Sequence, residues 1–332
     1  MNERIIHTNQ EHFDIKRITQ GKQTKFLWNE DNEIVSNNSL LKDIEQLVIP
    51  PNWENVLICS NDCGHIRAIG YDEKGRKQYI YNERWTEQRN KEKFHRLVDF
   101  ATILPTIRKQ AHKDLEHRKW DKVKATALVV LVLDDSHIRI GNSHYEEENG
   151  TYGLTTLRRK HLEISKNKLH FEYKAKSNKY RKVTIENNQL VKLIKQSSEL
   201  PGYEIFRYRE SGRFRDVTSN DVNDYLQEVT KSEYSAKDFR TWGGTVLGVE
   251  CVPKAMKMLE QNRRLKLEST LVKLVAKELG NTPAICREYY IHPKILELVN
   301  QGQLEEVEFK KQKTDKFSLS TAERKALEII KN

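Results

Sequence analysis

Cysteine is scarce in this chain: four in 332 residues, at Cys59, Cys63, Cys251 and Cys286, with no paired framework. That excludes the small disulfide-stapled classes and leaves reduced thiols as the expectation. Cys59, Cys63 and His65 lie close together, but no second cluster completes a tetrahedral set, so no metal site is expected. Long apolar runs are lacking too. The most apolar stretch, Ala125 to Leu133, is far short of the about 20 residues that span a bilayer, so membrane insertion is excluded. The run reads as a buried helix or strand. The opening Met1 to Lys16 is polar throughout, unlike a secretory signal; a cytoplasmic protein is expected, associated with the nucleoid if bacterial. No glycine-rich GxxxxGK[ST] phosphate loop and no carboxylate cluster suited to magnesium occur, so neither ATP nor any other cofactor is expected.

What is present is charge of one sign in excess. Lys and Arg number 58 against 48 Asp and Glu, a net charge of +10. A hydrophobic fraction of 37% is enough for a packed core, so this is no disordered tail. The excess is uneven. Arg158 to Lys182 holds ten basic residues against Glu163 and Glu172, and Lys74 to Arg96 holds eight against three acids. The second stretch interleaves Gln78, Tyr79, Tyr81 and Trp85. One such run is usually a solvated face; two, on two domains, fit a clamp around a nucleic acid duplex.

The periodicity changes along the chain. Glu54 to Cys59, Ile66 to Tyr71 and Lys77 to Tyr81 read as strands, with turn chemistry at Asp72 to Gly75 and an extended entry at Pro50 and Pro51. From Thr86, apolar residues recur at Phe94, Leu97, Val98 and Ala101, a helical spacing, and a second helix is expected after Pro105. His161 to Ile185 alternates again, helices resume at Asn187, and Asn220 or Asp221 is expected to cap another. Ser320 and Glu323 make a capping-box pattern for the last helix. The expected architecture is α+β: a β-rich domain over 1–85, a mostly helical domain with a small sheet over 86–300, and a helical tail over 301–332.

Four places combine residue types that phosphoryl transfer uses: Arg139 after the apolar run, Lys176 at a hairpin tip, Arg240 near a helix start, and Asn281 leading to Tyr289 and Tyr290. A tyrosine hydroxyl, with a pKa of about 10, is a weak nucleophile without help. Two permanent cations with planar donor forks can hold two non-bridging phosphate oxygens. A lysine can protonate a departing 5′ oxygen if its surroundings lower its pKa.

In this order and with these flanks, the motifs resemble the type IB DNA topoisomerases, the small poxviral and bacterial kind, from about Trp28 to Val299. Supporting runs are Gly75-Arg76-Lys77-Gln78-Tyr79-Ile80-Tyr81, Tyr152-Gly153-Leu154-Thr155-Thr156-Leu157 and Lys160-His161-Leu162-Glu163-Ile164. The resemblance implies Arg139, Lys176 and Arg240 as the basic catalytic residues and Tyr290, rather than Tyr289, as nucleophile. Asn281 stands where the poxviral enzymes carry histidine; its amide donates a hydrogen bond but shuttles no proton. Among hairpin residues, Lys174 and Lys179 lie close to Lys176. The resemblance further implies a C-shaped clamp whose helical domain has the tyrosine recombinase fold. It acts on duplex DNA, preferably supercoiled, as a monomer. The implied reaction is strand cleavage through a 3′-phosphotyrosyl link, swivelling and religation, without ATP or metal.

Outside the chemistry, Gln78, Tyr79 and Tyr81 are expected in the major groove and Arg76 and Lys77 on phosphates, with Asn142 and Tyr145 as further groove contacts. Two alternatives remain. A site-specific tyrosine recombinase shares the chemistry, but usually carries histidine where Lys237 stands. A non-catalytic DNA-binding protein would have lost one of Arg139, Lys176, Arg240 or Tyr290, and none is lost.

Overall fold

In the computed structural model, residues 4–20, 23–165, 167–304 and 315–331 are described. The chain divides into two compact units, Met1–Lys93 and Phe94–Asn332. Strands β1 (Ile15–Gln20) and β2 (Gln23–Trp28), helix α1 (Asn38–Gln46) and strands β3 (Glu54–Ile58), β4 (Ile66–Tyr71) and β5 (Lys77–Tyr81) make up the first unit. The five strands form one antiparallel sheet in the order β2-β1-β3-β4-β5. Its apolar side chains, Ile15, Val56, Ile58 and Ala68, close over Ile44 of α1. The β-rich reading holds, and the β4 and β5 bounds are as expected; the β1–β2 hairpin is an addition. β5 lies at the sheet edge, with Ile80 turned to the core and Tyr79 and Tyr81 outward.

Helix α2 (Glu83–Asp114) contains the division between the units. It is continuous through Pro105, so the expectation of a separate second helix is corrected. A proline inside a helix costs about 3 kcal/mol. Burial of Leu97, Phe100, Ala101, Leu104 and Ile107, each at 0–1% exposure, offsets this. Helix α3 (Lys122–Ser136) buries every residue from Ala125 to Leu133, which settles the apolar run as a central helix.

The remaining elements are α4 (Ser143–Asn149), β6 (Leu162–Ser165), β7 (Lys168–Ala175), β8 (Lys179–Ile185), α5 (Asn188–Ser198), β9 (Arg207–Glu210) and β10 (Arg213–Asp216). They are followed by α6 (Ser219–Thr230), α7 (Ala236–Glu250), α8 (Val252–Gln261), α9 (Leu267–Leu279), α10 (Pro283–Tyr289), α11 (Pro293–Asn300) and α12 (Thr321–Lys331). Strands β6-β7-β8 form the small antiparallel sheet, and β9 and β10 a separate hairpin. The cap of α6 is Thr218, in a capping box with Asp221, not Asn220 or Asp221. Asp221 serves as the box's third residue, because Thr218 is the last residue in extended conformation. The expected box before α12 is formed: the Ser320 amide donates to Glu323 at 2.7 Å, and the Glu323 amide to Ser320 Oγ at 3.1 Å. Glu323 also meets Arg108 of α2 (2.6 Å), which pairs with Asp134 of α3 (2.7 Å), and accepts from Trp242 Nε1 of α7 (3.3 Å). This fixes the last helix against the core. Among the described residues no helix is long and apolar enough to cross a membrane.

Candidate active site

Arg139 follows directly from how α3 ends. His137 caps that helix in the left-handed region (φ 52°), and the chain turns back. The Arg139 and Ile140 carbonyls then accept from Leu154 and Thr155 amides at 2.8 and 2.7 Å. Gly141 and Gly153 cross so closely that a Cβ at Gly153 would strike the Gly141 backbone and lie 2.7 Å from the Arg139 carbonyl. The Tyr152-to-Leu157 motif is thus the wall that sets the Arg139 backbone. Its guanidinium hydrogen-bonds Asn281 Oδ1.

Arg240 sits in the first turns of α7, whose start is fixed by the Ser235 amide donating to Asp238 at 2.8 Å. It is 4% exposed. One Nη donates to the His137 carbonyl and the other to the Leu279 carbonyl at 3.0 Å, while Nε has no partner. Its charge lies 5.2 Å from the centre of the Tyr290 ring. Burial, and then the nearby Arg139 and Arg181 charges, pull its pKa down to about 10. It remains cationic at neutral pH. Burial likewise lowers that of Arg139.

Asn281 and Tyr290 belong to one short segment. Gly280 (φ 63°) ends α9, the Asn281 amide donates to the Ala276 carbonyl at 2.9 Å, and Thr282 caps α10. Asn281 Nδ2 is buried beside the Cys286 thiol, with no other acceptor among the described residues. Tyr290 ends α10 and is pressed against α7: Thr245 Oγ1 donates to its carbonyl at 3.2 Å, and a Cβ on Gly244 would come within 2.7 Å of that oxygen. Only glycine fits there. Tyr289, by contrast, sits beside Glu288, and burial with that neighbour pushes its hydroxyl up to about 12. The geometry therefore brings Arg139, Arg240, Asn281 and Tyr290 together.

Lys176 is not joined to that group. It lies exposed in a 3-10 turn, Lys176–Asn178, at the tip of the β7–β8 hairpin, with no hydrogen bond to a described residue. The charge of Lys179 is the hairpin lysine charge felt at Cys286, one turn before Tyr290. Arg181, on the same hairpin, is 8% exposed and acts electrostatically on Arg139 and Arg240. The sequence reading missed it, together with Gly244 and Thr245. Its one sequence signal was strand parity, since Arg181 pairs across the ladder with buried Tyr173.

In the first unit, Tyr79 and Tyr81 stack 6.0 Å apart on the outward face of β5, 43% and 48% exposed. Lys77 is exposed and lies 5.6 Å from the Tyr79 ring centre. Arg76 and Gln78 converge on Asp72 (2.8 and 2.9 Å), whose carboxyl is held down to about 2, chiefly by its bond to Arg76. In the second unit Asn142 caps α4 by accepting from the His144 amide at 2.9 Å. The side chain of Tyr145 lies outside what is described.

Three segments far apart in sequence thus place cationic and amide donors around one tyrosine, a site suited to transferring a phosphoryl group to that hydroxyl. The family described as the catalytic core of eukaryotic DNA topoisomerase I matches residues 82–317, and that described as the N-terminal domain of bacterial DNA topoisomerase IB matches residues 26–72. The DNA topoisomerase 1B of Acanthamoeba polyphaga mimivirus is 32% identical over 86% of this chain and 87% of its own. That of vaccinia virus (strain Copenhagen) is 23% identical over 81% and 84%. A crystal structure of the XerH site-specific recombinase bound to palindromic difH, in a post-cleavage complex, aligns at a TM-score of 0.38 and 15% identity. That alignment spans 70% of this chain and 58% of the recombinase. The chain belongs to the type IB DNA topoisomerase family.

Proposed function

We propose that this chain relaxes supercoiled duplex DNA as a monomer, in the cytoplasm or on a bacterial nucleoid, with Tyr290 as nucleophile. The observation that carries the reading is the convergence of Arg139, Arg240 and Asn281 on Tyr290 inside one unit. The Tyr290 hydroxyl gives up its proton to solvent, its oxygen attacks phosphorus and the bond to the 5′ oxygen breaks. This gives a 3′-phosphotyrosyl diester and, once the 5′ oxygen is protonated, a 5′ hydroxyl. Arg139 and Arg240 stabilise the charge on the pentacoordinate phosphorane. Asn281 donates an amide N–H to a non-bridging oxygen. Lys176 delivers the proton that the 5′ oxygen takes up. The cut strand swivels, and the reverse attack reseals it. One diester replaces another of similar energy, so ATP is not consumed. Duplex contact is assigned to Tyr79, Tyr81, Gln78 and Asn142 at the groove and to Arg76 and Lys77 at phosphates.

The test is relaxation of supercoiled plasmid in EDTA without ATP, wild type against Tyr290→Phe. Relaxation and a covalent adduct by the wild type alone support the proposal. An active Tyr290→Phe would transfer the role to Tyr289. The acid is tested with a 5′-sulfur leaving group, which needs no proton. Lys176→Ala should slow the ordinary substrate about 10²-fold and leave the sulfur substrate fast; the same pattern in Lys179→Ala instead would reassign the role.

A further inference from the structure

We propose that Arg181 is a third phosphate-contacting arginine of this site, donating through Nη1 to a non-bridging oxygen of the scissile phosphate; the proposal rests on the topoisomerase reading above. The guanidinium is anchored from one side only. Nη2 donates to the Glu278 carbonyl at the end of α9 at 2.7 Å, and the side chain packs so closely on Gly280 that a Cβ there would lie 2.6 Å from Arg181 Cδ. Nη1 is buried, in a residue 8% exposed, and no well-aligned acceptor meets it among the described residues, the nearest candidate being the Tyr173 hydroxyl across the ladder, which Arg181 also contacts. A buried N–H without a well-aligned acceptor costs free energy, so the position favours an acceptor brought by a ligand.

The neighbours identify that acceptor as an anion. Arg181 presses on the charges of both Arg139 and Arg240, and Arg139 and Arg240 press on each other. The groups that offset this at Arg139 are Tyr290, Tyr173 and Cys286, two phenols and a thiol, none a carboxylate. Three guanidinium groups facing one another are stable company only around a negative guest. Three of the buried donors without a well-aligned acceptor among the described residues, Arg181 Nη1, Arg240 Nε and Asn281 Nδ2, belong to this one cluster. A tetrahedral phosphodiester beside Tyr290 supplies both the charge and the acceptors. Arg181 also accounts for the chemistry at Asn281, which carries no charge: the cation stands one residue away, against Gly280. The ordinary structural reading, an arginine that caps α9 and meets the Tyr173 hydroxyl, explains Nη2 but gives the cluster's excess positive charge no counterpart.

The experiment measures single-turnover adduct formation by wild type, Arg181→Met and Arg181→Lys. The substrates are a duplex with a mapped cleavage position and the same duplex with a methylphosphonate there, in which methyl replaces one charged oxygen. Melting temperature and duplex affinity are measured alongside, affinity in a Tyr290→Phe background. The wild type must first form a Tyr290-dependent adduct; its failure would sink the topoisomerase reading, separately from the Arg181 role. Arg181→Met is expected to lose about 10²-fold on the diester and only a few-fold on the methylphosphonate, with affinity nearly unchanged and melting lowered modestly by loss of the bond to the Glu278 carbonyl. Arg181→Lys should recover part of the loss. Wild-type rates on the diester, or equal losses on both substrates, overturn the proposal. If Arg181→Met does not fold, the same comparison of substrates with Arg181→Lys decides.

Discussion

On the edge strand of the first unit, Arg76 is paired with the Asp72 carboxylate and its side chain stays 42% exposed; in the second, Arg240 is 4% exposed and held by the carbonyls of His137 and Leu279. The second unit also contains the opposite arrangement, Arg108 between Asp134 and Glu323, where those carboxylates raise the guanidinium pKa despite burial. A carboxylate partner cancels the charge it holds. A carbonyl fixes direction and leaves the charge available. Arg108 thus serves the fold, Arg76 must exchange or share its acid to meet a phosphate, and Arg240 keeps its charge free.

The hardest way to break this comparison is to remove one acid-paired arginine from each unit. Arg108→Met strands Asp134 and Glu323, both nearly buried, and should cost about 3–5 kcal/mol of stability by urea denaturation. Arg76→Ala removes an exposed pair and should cost less than about 1 kcal/mol. Equal losses would mean that burial does not separate the two units' ion pairs.

Gly244→Ala sharpens the catalytic side. The new methyl meets the Tyr290 backbone, so adduct formation should fall about 10²-fold through misplacement of the tyrosine. Alanine favours an α-helix over glycine by about 1 kcal/mol, so melting should change little. A rate near wild type would show that Tyr290 is not set by its packing on α7.

The site's legibility follows the same division. Arg139, Arg240, Asn281 and Tyr290 were proposed because several motifs, each weak alone, occur together in an order that resembles one family. Arg181 was not, because it sits among ten basic residues and only the ladder register with Tyr173 turns it inward. Glycine was visible at Gly244, but its reason, a tyrosine 46 positions later, is a tertiary contact. In the fold, β4 and β5 declared themselves through alternation and the Asp72–Gly75 turn. The β1–β2 hairpin did not, since its strand Lys16–Arg17–Ile18–Thr19 buries little. Pro105 misled because its local cost is outweighed by packing that no window of sequence displays.

A smaller effect is expected on β5. Tyr79→Ala with Tyr81→Ala should weaken duplex affinity about tenfold, each ring being worth of order 1 kcal/mol or less at an open edge. The salt dependence should stay unchanged, since no charge is lost. Lys77→Ala should instead lower the slope of log affinity against log salt by about one. A steeper or flatter slope in the tyrosine variant would place those rings elsewhere than on bases.

The smallest predicted effect concerns acid. Burial holds His161 and His292 of the second unit down to about 4, against about 6.5 when unfolded. Each accepts a main-chain N–H at Nδ1, from Arg158 (3.1 Å) and Lys294 (3.2 Å), a bond that a protonated Nδ1 can no longer accept. As pH falls from about 6.5 towards 4, the unfolded chain takes up protons that the folded chain refuses, so stability is lost on acidification across that window. Asp72 in the first unit, near 2, acts only below it. His292→Asn keeps an acceptor for the Lys294 amide and removes one titrating ring. Denaturant midpoints between pH 7 and 5 should therefore decline less steeply for the variant, by a fraction of one proton. An unchanged slope would mean that His292 is hydrated enough to titrate in the folded state, and that the second unit's burial stops short of its histidines.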